Sequence, residues 1–149
     1  MARAEPGLGK LANINRKYPN RTSLKDKRKE IVKPIKGAPP AGPYSRAVRF
    51  GDLVFVSGIS PRNSDGSAFR GTLEEEVQNV LDNISRILED SKSSLDKVLK
   101  VTVILRDERD WERMNSVYKK FFPKEPPART TFQSGIGASV EMDAIAYVL

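Results

Sequence analysis

Neither cysteine nor histidine occurs anywhere in the 149 residues. Without thiols there are no disulfides, zinc knuckles, iron–sulfur clusters or thiolate nucleophiles. Without imidazole there is no Ser-His-Asp or Cys-His catalysis, no histidine metal ligand and no histidine base working near neutral pH. Carboxylates, arginine, lysine, tyrosine, hydroxyls, backbone groups and water are what remains for chemistry. Long apolar runs are also missing: none approaches the roughly 20 residues that a helix needs to cross a bilayer. No apolar segment follows Met1 as a secretory signal would require. The expectation is a cytosolic protein with no membrane partner.

What the chain does contain is the mixture of a soluble single domain, 38% hydrophobic and 30% charged. Its net charge of +7 first suggests a nucleic-acid binder, but the charge is unevenly spread. Residues 1–36 hold 11 Lys and Arg against 3 Asp and Glu, while residues 37–149 hold 15 against 16. The chain therefore divides into a basic N-terminal extension, residues 1–37, and a balanced domain, residues 38–149. That balance argues against nucleic acid as the domain's partner. Three readings of the extension stay open: a solvated segment, a mitochondrial targeting peptide carried by Arg3, Lys10, Arg16 and Lys17, and a non-specific nucleic-acid contact through Lys25–Lys29. Glu5, the scarcity of Ser and the Pro and Gly breaks oppose the targeting reading.

A Gly/Ala/Pro linker, Gly37–Pro43, opens the domain. Val48–Phe50 and Leu53–Val56 flank Gly51-Asp52 as a hairpin, and Asn63–Gly66 makes a further turn. From Thr72 the period changes. Leu73, Val77, Val80, Leu81, Ile84, Ile87 and Leu88 mark an amphipathic helix, with Thr72 and Glu75 as a capping box. Val98–Leu105, nearly all apolar or β-branched, predicts a strand covered on both faces. Asp110 is placed to cap a second helix with Trp111, Met114, Tyr118 and Phe121 on one stripe, stopped by Pro123. Ala128–Gln133 and Val140–Leu149 predict two closing strands. The order β-β-(β)-α-β-α-β-β predicts an α+β layer sandwich with both helices on one face of a mixed sheet.

Several polar residues beside these elements are candidates for chemistry. Arg129 follows Pro126-Pro127-Ala128 at a strand start, where its planar fork of donors can grip a carboxylate or serve an ordinary salt bridge. In the last strand Val140, Met142, Ala144, Ala146 and Val148 alternate onto one face, sending Glu141 to the other with Asp143, Ile145 and Tyr147. A carboxylate among such neighbours is held partly out of water and can orient water or carry a proton, unless it is simply a paired edge residue. Tyr44 is a lid residue or a packing residue. Ser57 and Gly58 end an apolar strand and can bind an oxyanion or form a turn. Asn115, a poor helix former within a helix, bonds a ligand or a loop. Asp107–Glu112 reads as a solvated loop, and no metal-ligand spacing, phosphate-cradling loop or dinucleotide fingerprint occurs, so no metal or cofactor is expected.

Taken together, Gly42-Pro43-Tyr44-Ser45, Val56-Ser57-Gly58-Ile59, Asn115-Ser116-Val117-Tyr118 with Phe121-Phe122, Pro127-Ala128-Arg129-Thr130 and Val140–Ala146 follow one another in an order and spacing that resembles the RidA/YjgF family of enamine/imine deaminases, also labelled endoribonuclease L-PSP. The resemblance spans about residues 38–149 and leaves the extension aside. It implies a chorismate-mutase-like fold, a homotrimer with clefts between subunits, and hydrolysis of 2-aminoacrylate and related imines to 2-keto acids and ammonia. It places the carboxylate-binding role on Arg129, water handling on Glu141, and cleft roles on Tyr44, Ser57, Asn115 and the backbone of Gly58. Two positions depart from the family pattern. Ile59 stands where many relatives have Gln and would make the cleft more apolar. Thr131 stands where a Cys is frequent; sharing the strand face of Arg129, it adds a hydroxyl that can bind substrate. Two alternatives accompany this reading: an endoribonuclease or translation inhibitor, and a non-catalytic trimer that binds small ligands.

Overall fold

The clearest periodicity in the sequence becomes the longest element. In a computed structural model, which describes residues 27–33, 35 and 39–148, helix α1 runs Leu73–Asp90. Its seven stripe residues are all buried. The capping box forms as expected: the Glu75 N–H donates to Thr72 Oγ1 at 3.3 Å, and the Thr72 N–H donates to Glu75 Oε2 at 2.8 Å. Such a cap stabilises a helix by about 1 kcal/mol.

The strands are β1 (Lys29–Ile31), β2 (Ala47–Phe50), β3 (Leu53–Ile59), β4 (Val98–Leu105), β5 (Ala128–Gln133) and β6 (Val140–Tyr147), with helix α2 (Trp111–Phe121) between β4 and β5. They form one six-stranded mixed sheet in the order β1-β2-β3-β6-β4-β5. Only β4 and β5 run parallel, the pairing that a helical crossover permits, and α2 is that crossover. The β2–β3 hairpin turns at Gly51-Asp52 as expected; Gly51 has φ +61°, a conformation that glycine adopts without steric cost.

Alternation divides the sheet into two unlike faces. Val54, Val56, Val101, Val103, Leu105, Val140, Met142, Ala144 and Ala146 form one core with the buried stripes of α1 and α2, so both helices lie on that face. Tyr147 opposite Leu53, Ile145 opposite Phe55, and Phe132 opposite Ile104 lie on the other face, which no element among the described residues covers.

Four expectations change. The extension supplies a strand: β1 pairs antiparallel with β2, and the Val32 N–H donates to Ala47 O at 3.1 Å. Three exposed residues carry no alternation to read, and charge is what a solvent-facing edge strand tolerates. Residues 1–26, on which the targeting reading rests, lie outside the described residues. The bracketed third strand reduces to a single bridge between Arg62 and Ala68 across the Asn63–Gly66 turn. Among the described residues strand β4 is covered on one face only, its buried residues being Val98, Val101, Val103 and Leu105. Finally, Asp110 caps nothing. It closes a short 3-10 turn, Glu108–Asp110, whose own cap is Asp107, and its carboxylate instead accepts from Arg113 at 3.1 Å. With φ −81° and ψ 2°, Asp110 has already left the extended backbone from which a side chain folds back onto the next turn.

Candidate functional site

The end of β3 departs from regular pairing. Val56 faces Ala144 and Ile59 faces Met142, so one extra residue bulges out at Ser57-Gly58. Beside this bulge lies Glu141, on the uncovered face as its alternation predicts. Ser60 Oγ donates to Glu141 Oε2 at 2.9 Å, while Oε1 lies against Gly58. A β-carbon at Gly58 would collide with that oxygen, so the approach of carboxylate to backbone requires glycine here. Ser57 donates its hydroxyl to Ser45 O at 2.6 Å, leaving its oxygen lone pairs for any further contact.

These residues line a cleft of about 420 Å³. Tyr44 stands at its rim with its ring over Gly42, its hydroxyl accepting from the Ala41 N–H at 3.3 Å. Ile59 lines the cleft, adding the apolar surface expected of it, and Pro39 and Pro40 close one side. Two cations that the sequence did not single out, Arg46 and Arg62, also line it. Burial lowers the pKa of Arg46, the Asp90 carboxylate opposes that fall, and Arg86 adds to it.

Arg129 lies elsewhere. It pairs with Val101, and Thr131 pairs with Val103, so both point to the helix side of the sheet. With Asn115, Trp111, Tyr118, Phe122 and Pro127 they line a second cavity of about 580 Å³ between β5 and α2. The guanidinium carbon sits 4.7 Å from the centre of the Tyr118 ring and 5.2 Å from that of Trp111, with Nη1 4.0 Å from Met114 Sδ. Among the described residues no carboxylate lies within ion-pair distance of Arg129. Thr131 Oγ1 and the Tyr118 hydroxyl are buried here without a hydrogen-bond partner. Burial pushes the Tyr118 pKa up to about 12, with Arg129 pulling the other way.

Thus Tyr44, Ser57, Gly58 and Glu141 share one cavity, and Arg129, Asn115 and Thr131 share another. Within one chain Arg129 and Glu141 are separated by β4 and point to opposite faces of the sheet. Sequence reasoning missed Ser60 as the partner of Glu141, and it placed Tyr118 on a helix stripe without linking it to Arg129. The spacing Trp111, Met114, Tyr118 was legible as a stripe, but not that an arginine lies along it.

The model of the Endoribonuclease L-PSP family matches residues 35–148. A RutC family protein of Pyrococcus abyssi is 38% identical over 123 residues, covering 80% of this chain and 97% of that protein. The 3-aminoacrylate deaminase RutC of Acinetobacter baylyi is 35% identical, covering 80% and 98%. The chloroplastic Reactive Intermediate Deaminase A of Arabidopsis thaliana is 34% identical, covering 80% and 66%. Among solved structures, yeast Mmf1 superposes with a TM-score of 0.78 at 33% identity, covering 82% of this chain and all of that one. E. coli TdcF with bound serine superposes with a TM-score of 0.74 at 27% identity, covering 80% and 99%.

Proposed function

The chain belongs to the Endoribonuclease L-PSP family, the YjgF/RidA/RutC group, and from that premise we propose that it hydrolyses small 2-imino acids and their enamine tautomers, 2-aminoacrylate among them, to 2-keto acids and ammonia. The observation that carries this reading is Arg129: a cation held by rings and a thioether, opening on a cavity with room for a small organic acid. The deaminase names of two relatives and the serine held by TdcF point to the same class of molecule.

The active unit in this reading is a homotrimer. Ile31, Phe50, Leu53, Phe55 and Phe132 stand exposed on strands of the sheet, an apolar surface of the kind that marks a protein interface. In this reading the copies associate so that the β5 edge of one subunit, with its Arg129 cavity, lies beside the Glu141 cleft of the next. The separation of the two groups within one chain is then no obstacle.

Arg129 holds the substrate carboxylate through two parallel hydrogen bonds. Glu141, steadied by Ser60 and Gly58, accepts a proton from water as the water oxygen bonds to the imine carbon. The substrate reacts as the protonated imine, so loss of one water proton to Glu141 leaves a neutral tetrahedral aminoalcohol. Glu141 then returns that proton to the nitrogen and takes up the hydroxyl proton as the C–N bond breaks, releasing ammonia and the 2-keto acid. The imine hydrolyses unaided, so orientation and one placed acid–base group, worth about 10²–10⁴-fold, suffice. Arg129→Ala is expected to abolish acceleration of keto-acid release from enzymatically generated 2-aminoacrylate while the assembly stays folded. Retained acceleration overturns the assignment. We place the protein in the cytosol or the mitochondrion; whether residues 1–37 carry a fused fluorescent protein into mitochondria decides between them.

A further inference from the structure

An arginine that must grip an anion faces a conflict. Left in water its long side chain is mobile, and a carboxylate neighbour that fixed it would also neutralise it and occupy its donors. Arg129 is fixed in another way. Trp111, Met114 and Tyr118 recur at helical steps of three and four, so they form one line along α2. That line lies against the guanidinium, with ring centres at 5.2 and 4.7 Å and sulfur at 4.0 Å. Ring faces attract a cation through their quadrupole and carry no formal charge to cancel it. Tyr118 in particular does not compete as an anion near neutral pH, since burial pushes its pKa up to about 12.

We infer that Trp111 and Tyr118 are positioning residues for Arg129: the two rings, rather than an acidic side chain, set where the guanidinium lies and leave its charge available to an anionic ligand. This rests on the reading of Arg129 as the carboxylate clamp. The two rings differ in what else they do. Tyr118 is 6% exposed and belongs to the core, whereas Trp111 is 41% exposed and contributes little to it. Trp111 therefore separates the effect on Arg129 from any effect on folding.

The test uses the full-length protein, with pyruvate as an unreactive 2-keto acid in calorimetry and enzymatically generated 2-aminoacrylate in kinetics. Trp111→Leu and Tyr118→Leu are each expected to weaken pyruvate binding about tenfold, the scale of one partly desolvated cation–ring contact. KM should rise in parallel with kcat unchanged within about twofold, because the contact serves ground state and transition state alike. Trp111→Phe and Tyr118→Phe, which keep a ring, should restore binding to within about twofold. If Tyr118→Leu fails to fold, Trp111→Leu decides alone. Native pyruvate affinity in Trp111→Leu, with binding lost in Arg129→Ala, overturns the positioning role and leaves the clamp standing. So does failure of the Phe variants to restore affinity. Native affinity in Arg129→Ala overturns the clamp itself, and the positioning role with it.

Discussion

On its helix side the sheet buries Val54, Val56, Val101, Val103 and Met142 to 5% exposure or less, whereas on its other side Leu53, Phe55 and Phe132 are 38–48% exposed. The same strands supply both sets, through alternate residues. A strand such as β3, apolar at Leu53, Val54, Phe55 and Val56, calls for cover on both faces, and the described residues of its own chain provide one. The candidate chemistry divides along the same line. Arg129 belongs to the finished side, braced by α2, and Glu141 to the unfinished side, beside the bulge of β3. One chain thus carries two cavities of different construction, one built on packing and one on backbone geometry, with the plane of the sheet between them.

The most forceful way to break this comparison is to damage each half in a separate chain. Arg129→Ala and Glu141→Gln are each expected to be inactive alone. Refolded together in equal amounts, they should recover about a quarter of native activity, because in a cyclic trimer one random interface in four pairs an intact arginine with an intact glutamate. If both groups come from one chain, nothing is recovered. Next in size is Phe55→Glu, which places a charge on the uncovered face at a cost of several kcal/mol if that face is buried between copies. Sedimentation should show loss of assembly and activity with native circular dichroism; an unchanged mass means the face is not the interface. Gly58→Ala addresses the unfinished half alone. The added methyl displaces the Glu141 carboxylate, and kcat is expected to fall about 10- to 100-fold with pyruvate affinity held near native.

The smallest effect concerns the finished half. The folded pKa of Tyr118 is raised to about 12 from the ordinary 10, so the folded state holds its proton more tightly than the unfolded chain. This contribution is complete below about pH 10 and is lost as pH rises toward 12. Denaturant midpoints should therefore fall over that window in the native protein and fall less in Tyr118→Phe. Equal slopes in the two proteins contradict the buried hydroxyl.

Much of the fold was legible because local signals agreed. The α1 stripe, the Thr72–Glu75 box, the Gly51-Asp52 hairpin and the alternation of β6 each rest on residues close together in the chain, and each appears where expected. Errors arose where a neighbour distant in sequence decided the outcome. Lys29–Ile31 became a strand only because the β2 edge was free to receive it. Asp110 is the exception, a local one: it lost its capping role because Asp107, three residues earlier, had already begun a turn. In the site, the strand face of Glu141 and the shared face of Arg129 and Thr131 were readable, but not which side of the sheet that shared face takes. The pairing of Ser60 with Glu141, and the placing of Tyr118 beside Arg129, depended on packing between elements.

By itself, then, the sequence determined the inventory of chemistry and its alternation: no imidazole or thiol, an arginine at one strand start, a carboxylate opposite the apolar side of another. Period and composition are local properties, and they survive without knowledge of the fold. Tertiary structure alone decided that β6 runs between β3 and β4, that the arginine rests on the aromatic line of α2, and that the two charged groups face away from each other. Strand order and helix packing are set by contacts between residues tens of positions apart, where burial of whole faces outweighs any preference a short segment carries.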